Sequence, residues 1–156
     1  MQSYRWTSCI PVLDFLITNF DIKSVLEFGA GDSSTLFFLN KGIKLITIEN
    51  EGKWFTEYYH QGMNDANYLS QDFDMIFVDG DFDRWRHINK AFNQTSIVVT
   101  HDTNVNDDNT YDWHLIDMPN YFQRYDFTKE VPWTTVFSSN YKVIEAVKKF
   151  GENYIR

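Results

Sequence analysis

Residues 23–35 read Lys-Ser-Val-Leu-Glu-Phe-Gly-Ala-Gly-Asp-Ser-Ser-Thr, and the remainder of the chain can be read outward from them. Val25, Leu26 and Phe28 form a short apolar run with Glu27 inside it. Gly29 and Gly31 follow at once, then a polar string from Asp32 to Thr35, then Leu36-Phe37-Phe38-Leu39. That order predicts a strand, a tight turn and the start of a buried helix. Glycines let such a turn adopt positive φ and leave bare main chain against which a ligand can lie. The first amides of the helix face the same place, and Ser33, Ser34 or Thr35 can cap the helix or bond a ligand. A dinucleotide fingerprint wants a third glycine at position 34, where this chain has Ser34.

Glu27 is the unusual residue of the stretch. A carboxylate near the end of a buried strand costs several kcal/mol unless something compensates it. A cationic ligand group, such as an amine or a sulfonium-bearing amino acid, would offset that cost.

The flanking sequence supplies the partners of this strand. Val12, Leu13, Leu16, Ile17 and Phe20 recur at helical spacing behind Pro11, predicting an amphipathic helix over 11–20 that packs on the sheet. A crossover helix over 33–41, closed by Gly42, leads to a second strand over 44–48 ending at Glu49. Residues 51–62 read as a helix. Between Gly62 and Phe73 no convincing strand can be found, so a third strand there is short or absent. Residues 74–78 form a strongly apolar strand ending in Asp79-Gly80-Asp81; a helix over 82–93 follows, then a strand over 96–100 ending in His101-Asp102-Thr103-Asn104. The pattern predicts an α/β fold with a doubly wound, mostly parallel sheet and helices on both faces. Polar clusters end each strand, at the edge where such sheets bind ligands. Beyond it, 105–114 reads as a polar loop, 115–124 as a short helix interrupted by Pro119, 125–129 and 134–138 as strands, and 141–150 as the last helix.

Bulk properties narrow the classes. The chain of 156 residues, 43% hydrophobic, suits one domain spanning 1–156 with a real core. No repeat, linker or low-complexity tract divides it. No apolar run is long enough to span a bilayer and no secretion signal is visible, which with the single cysteine, Cys9, reads as a cytoplasmic protein. The net charge of -8 disfavours nucleic acid as a partner; Arg84, Arg86 and Lys90 are the nearest thing to a basic patch. The 18% aromatic content reads first as core filler and second as a cleft for a flat substrate.

At this point the chain resembles the class I S-adenosylmethionine-dependent methyltransferases, over roughly residues 22–104, about half its length. Leu-Glu-Phe-Gly-Ala-Gly-Asp at 26–32 is similar to their first motif, an acid followed by two spaced glycines. Leu-Ile-Thr-Ile-Glu-Asn at 45–50 is similar to the second, and Asn-Asp-Ala at 64–66 to the segment that holds the adenine amine. Phe-Val-Asp-Gly-Asp at 77–81 resembles the fourth motif of the small-molecule branch, and Ile-Val-Val-Thr-His-Asp-Thr at 97–103 the segment after its fifth strand. The resemblance implies S-adenosylmethionine as cofactor, with Glu27 on the methionine amine directly or through water, Gly29, Gly31 and Ser33 along the cofactor, Glu49 on both ribose hydroxyls and Asp65 on adenine. Asp79 and Asp102 would face the methyl group and a small-molecule acceptor. The third glycine of the first motif is Ser33 here, and the histidine common after Asp79-Gly80-Asp81 is Phe82.

Two chemistries stay open for an oxygen acceptor. Asp79 and Asp102, with Asn104 or Asp81, could bind Mg²⁺ or another divalent ion that lowers the acceptor's pKa. Alternatively His101 could take the proton as general base. A protein that binds the cofactor without transferring methyl, either cleaving the sulfonium or staying silent, is the other reading. The short chain leaves room for a lid at 105–114 or a second subunit completing the pocket in a homo-oligomer. No zinc spacing, phosphate loop or nucleophile elbow is present.

Overall fold

The computed structural model of the chain describes residues 7–49, 71–80, 83–104 and 112–156. These form a six-stranded sheet and four α-helices: α1 (Ile10–Asn19), β1 (Ser24–Phe28), α2 (Ser34–Asn40), β2 (Lys44–Ile48), β3 (Met75–Val78), α3 (Arg84–Ala91), β4 (Ile97–His101), β5 (Gln123–Phe127), β6 (Thr134–Ser138) and α4 (Tyr141–Asn153). The spatial order is β2-β1-β3-β4-β6-β5. β2, β1, β3 and β4 pair in parallel, while β6 runs antiparallel between β4 and β5. The predicted doubly wound arrangement is therefore present among the described residues, with one reversed strand. Winding from β1 goes outward to β2 and inward to β3, so the topological switch point lies between β1 and β3.

Alternation along the strands splits the core into two. Val25, Met75, Phe77, Ile97 and Val99 face α1, α2 and α4 through Leu13, Leu16, Phe38 and Val147. Leu26, Phe28, Ile76, Val78 and Val98 face α3 through Ile88, Ala91 and Phe92. Among the described residues many of the large rings fill the core, while Tyr121 and Tyr141 stay exposed. Phe38 meets Phe77 edge-on at 5.9 Å, and Phe15 stacks on Phe150 at 4.5 Å, joining α1 to α4. α4 starts at Asn140, whose side chain accepts from the Lys142 amide.

Three local expectations change. Pro11 is the second helical residue of α1, not the first. Residues 115–124 do not form a helix: a single 3-10 turn at Trp113–Leu115 gives way to extended chain and β5, because Pro119 removes an amide a helix would need. The strand expected over 125–129 spans Gln123–Phe127, whereas the one expected over 134–138 lies at Thr134–Ser138 as read. The expected helix over 51–62, residues 62–70 where a third strand was sought and residues 105–111 of the polar loop lie outside the described residues.

One turn holds the switch point together. Gly29 has φ +88, and its amide donates to the Ile48 carbonyl at 2.9 Å while Asp79 N–H donates to Phe28 O at 2.7 Å. A Cβ at Gly29 would lie 2.5 Å from Gly80 Cα and 2.6 Å from the Asp79 carbonyl carbon. Gly42 also has positive φ, at +71, but faces open space. Gly42→Ala should therefore cost about 1 kcal/mol for the backbone conformation alone, and Gly29→Ala about 3 kcal/mol once main-chain overlap is added. Urea unfolding of the two variants measures the gap; equal losses would mean that the β1–β3 crossing yields easily.

Candidate functional site

The two carboxylates of the first two strands are both drawn inward, by different partners. Glu27 lies in mid-sheet, with Thr47 opposite it on β2 and Phe77 on β3. Its side chain is 0% exposed. Ser34 Oγ donates to its Oε1 at 2.6 Å, and Thr35 Oγ1 and Thr47 Oγ1 both donate to its Oε2 at 2.8 Å. The compensation that burial demands thus comes from three hydroxyls of the protein, and the direct contact with a cationic amine expected from the sequence has no open face here. Burial pushes the Glu27 carboxyl up to about 7 despite those bonds, with the charge of Asp79 adding to the shift.

Glu49, at the end of β2 and 7% exposed, accepts the Ala30 amide through Oε2 at 2.8 Å. The Gly31 amide donates to Thr35 Oγ1 at 3.1 Å, and that hydroxyl in turn donates to Glu27. Both amides of the glycine turn are therefore tied to carboxylates, one directly and one through a threonine. Gly31 has room beside it, with only Ser34 Oγ at 3.8 Å from where a Cβ would sit; Gly29 has none. Bareness at Gly29 serves Gly80, not a ligand. Ser33 occupies the N-cap of α2 without a side-chain capping bond. Asp65 and Asp81 lie outside the described residues.

The ends of β3 and β4 carry the second group. His101 is fully buried, with Nε2 2.7 Å from Ser8 Oγ and Nδ1 3.4 Å from Asp79 Oδ1. Its distance to Asp102 Oδ1 is 3.7 Å. Burial alone would lower the imidazole's pKa; the bond to Asp79 and the charges of Asp79 and Asp102 outweigh it and raise it. Asp102 takes φ +60, a left-handed conformation that Asp tolerates better than most residues, and burial raises its carboxyl. Arg84, which the sequence offered as part of a basic patch, is buried instead, with Nη2 3.4 Å from Asp102 Oδ2 and 3.7 Å from Asp79 Oδ1. The Asp79, His101 and Asp102 ligand atoms lie within 4.8 Å of one another. Asn104 turns away from this group, its Oδ1 accepting the Trp133 amide at 2.7 Å. Among the other histidines, His87 stacks on Phe28 at 4.1 Å, and its burial lowers its pKa; His60 is outside the described residues.

The sequence therefore named Asp79, His101, Asp102, Glu27 and Glu49, and the fold brings the first three together. It missed Ser8 and the inward turn of Arg84. An arginine three residues after an Asp-Gly-Asp run, at the head of a helix, was the available signal.

No family model matches the chain, and no curated protein does. Among solved structures, a "putative RNA methyltransferase" of Pyrococcus horikoshii overlays with a TM-score of 0.45 at 17% sequence identity, covering 83% of this chain and 79% of that one. An overlay that loose assigns no activity to the present molecule. No helix among the described residues is long and apolar enough to cross a membrane.

The Glu27 cage gives a signed pH dependence. With a folded pKa near 7 against 4.5 for a free carboxyl, its contribution to stability is full below pH 4.5 and lost as pH rises through 7. Glu27→Gln, which mimics the protonated group, should match the parent near pH 4.5 and exceed it by about 3 kcal/mol at pH 8.5. Denaturant midpoints at the two pH values measure this. A gap that does not widen with pH would mean the carboxylate is comfortable as an anion.

Proposed function

We propose that the chain is an S-adenosylmethionine-dependent methyltransferase acting on a small-molecule acceptor at oxygen. The observation that carries the reading is Glu49: a nearly buried carboxylate at the end of β2, held against the Ala30 amide of the glycine turn, at the switch point of the sheet. An acid there suits a ribose diol, which can donate to the carboxylate from two hydroxyls.

The charge around the turn narrows the nucleoside. Glu27, Glu49, Asp79 and Asp102 surround it, against Arg84 and His101 among the described residues. A dinucleotide would bring phosphates toward these acids, whereas a nucleoside bearing an amino acid and a sulfonium brings none. The residues thus suit S-adenosylmethionine, with Glu49 for the ribose and the open side of Gly31 for close approach. When bound, the cofactor supplies an activated methyl group for in-line displacement. The chain's own contribution would be alignment, and proton control at the acceptor by the Asp79–His101–Asp102 group, where Asp79 and Asp102 keep 21% and 26% of their side-chain surface exposed.

A specific observation favours a second reading. His101, the candidate base, is fully buried and engaged with Ser8 and Asp79, which suits a protein that binds the cofactor without transferring its methyl group.

Calorimetry with S-adenosylhomocysteine and with NAD tests the cofactor. The former should bind and the latter should not, and Glu49→Ala should weaken nucleoside binding by about 1–3 kcal/mol through two lost charge-assisted bonds. Binding of NAD, or an affinity unchanged by Glu49→Ala, would remove the ribose assignment. Incubation of the protein with S-adenosylmethionine alone separates a methyltransferase, which leaves it intact, from a sulfonium-cleaving enzyme.

A further inference from the structure

The buried guanidinium at the head of α3 changes the metal expectation. Arg84 Nη1 donates to the His101 carbonyl at 2.8 Å and its Nε donates to the Gly80 carbonyl. Those two bonds hold the planar fork across the gap between the ends of β3 and β4. Its Nη2 then lies between the carboxylates of Asp79 and Asp102, within ion-pair reach of both. These are the two acids that a divalent ion would need.

The donor set fits such an ion poorly. A hard divalent cation needs six or more oxygen ligands, or fewer with waters, and strong net negative charge. Here one positive charge already stands between the two acids. Of the two further ligands expected, Asn104 has its oxygen on the Trp133 amide at 2.7 Å, and Asp81 lies outside the described residues. Among the described residues the remaining donor grouped with them is His101, a nitrogen ligand fully buried behind them, with its Nε2 against Ser8. Arginine is also suited to the role, since its guanidinium stays charged in any protein environment and its fork can serve two carbonyls and two carboxylates at once.

We propose that Arg84 is the resident cation of this site, supplying between Asp79 and Asp102 the positive charge a divalent ion would otherwise bring, so that the site works without metal. This deepens the cofactor reading by specifying how its acids are balanced. The metal experiment that tests it needs no cofactor, so failure of one does not entail failure of the other.

Protein treated with a chelator is titrated with MnCl₂ and followed by Mn²⁺ paramagnetic resonance and by melting temperature, with NaCl at equal ionic strength as control. The wild type should bind no Mn²⁺ tighter than about 1 mM and show no ion-specific rise in Tm. One ion per chain bound more tightly than that, and lost in Asp102→Asn, would overturn the proposal. Arg84→Gln removes the charge and should melt below the wild type, with Arg84→Lys in between because it keeps the charge and loses the fork. An Arg84→Gln protein as stable as the wild type, or an Arg84→Lys protein no better than Arg84→Gln, would equally overturn it. If Arg84→Gln does not fold, the wild-type titration still decides.

Discussion

The hydroxyl cage around Glu27 is the constraint on which the switch point depends. A carboxyl with no solvent exposure sits at the centre of a parallel sheet, and three hydroxyls from β2 and the first turn of α2 converge on it. Each bond ties a different piece of chain to β1. Ser34 and Thr35 fix where α2 begins, Thr47 fixes β2 beside it, and Thr35 passes the constraint on to the Gly31 amide. The glycine turn is therefore shaped from beneath, by a buried acid, and from the side, by Glu49 on Ala30. Replacing that acid by an apolar residue of similar size would strand three buried hydroxyls, a larger penalty than the loss of any one of the bonds.

The same logic recurs at both ends of the sheet. At the opposite end, Asp74 Oδ2 accepts from the Lys23 and Ser24 amides at 2.8 and 2.9 Å, clamping the start of β1 to the start of β3. At the end bearing the site, Arg84 clamps the β3–α3 turn to β4 through two carbonyls. Beyond β4, Asn104 and Thr103 anchor the chain to the Trp133 main chain, the latter through its amide at 3.1 Å. The strands carry little sequence-specific instruction beyond apolar alternation. Register and closure come from a few polar side chains that bond main chain across the gaps.

That division explains which features could be read from the sequence. β1, β2, β3, β4, α1, α3 and α4 announce themselves by runs such as Met75-Ile76-Phe77-Val78 and by the spacing of Val143, Ile144 and Val147, because burial acts on every residue of the period. Residues 115–124 misled because their apolar members, Leu115, Ile116, Met118 and Phe122, mimic a helical stripe while Pro119 forbids the helix. Among site residues, Asp79, His101 and Asp102 could be found because they end strands, and strand ends of a parallel sheet meet at one edge. The direction of a single side chain has no periodic signature. Glu27 turning into a hydroxyl cage, and Arg84 turning into the core when its neighbour Arg86 stays exposed, each depend in part on a distant partner, Thr47 twenty positions on and the His101 carbonyl seventeen positions on.

The two acid groups differ in how they are neutralised, and that difference bears on what the edge can bind. Glu27 is compensated by hydroxyls and, near neutral pH, by its own proton; it offers little field to the outside. Asp79 and Asp102 share a guanidinium that is nearly sealed, yet keep part of their own surface open. Their outward atoms remain acceptors while their charge is balanced from behind. An edge built this way attracts a donor such as a hydroxyl without demanding one, so it stays folded when empty. A metal-dependent carboxylate pair lacks that property, because without its ion the two acids repel. The buried arginine thus makes the site stable in advance of any ligand, and the outward carboxylate surface gives a ligand something to meet.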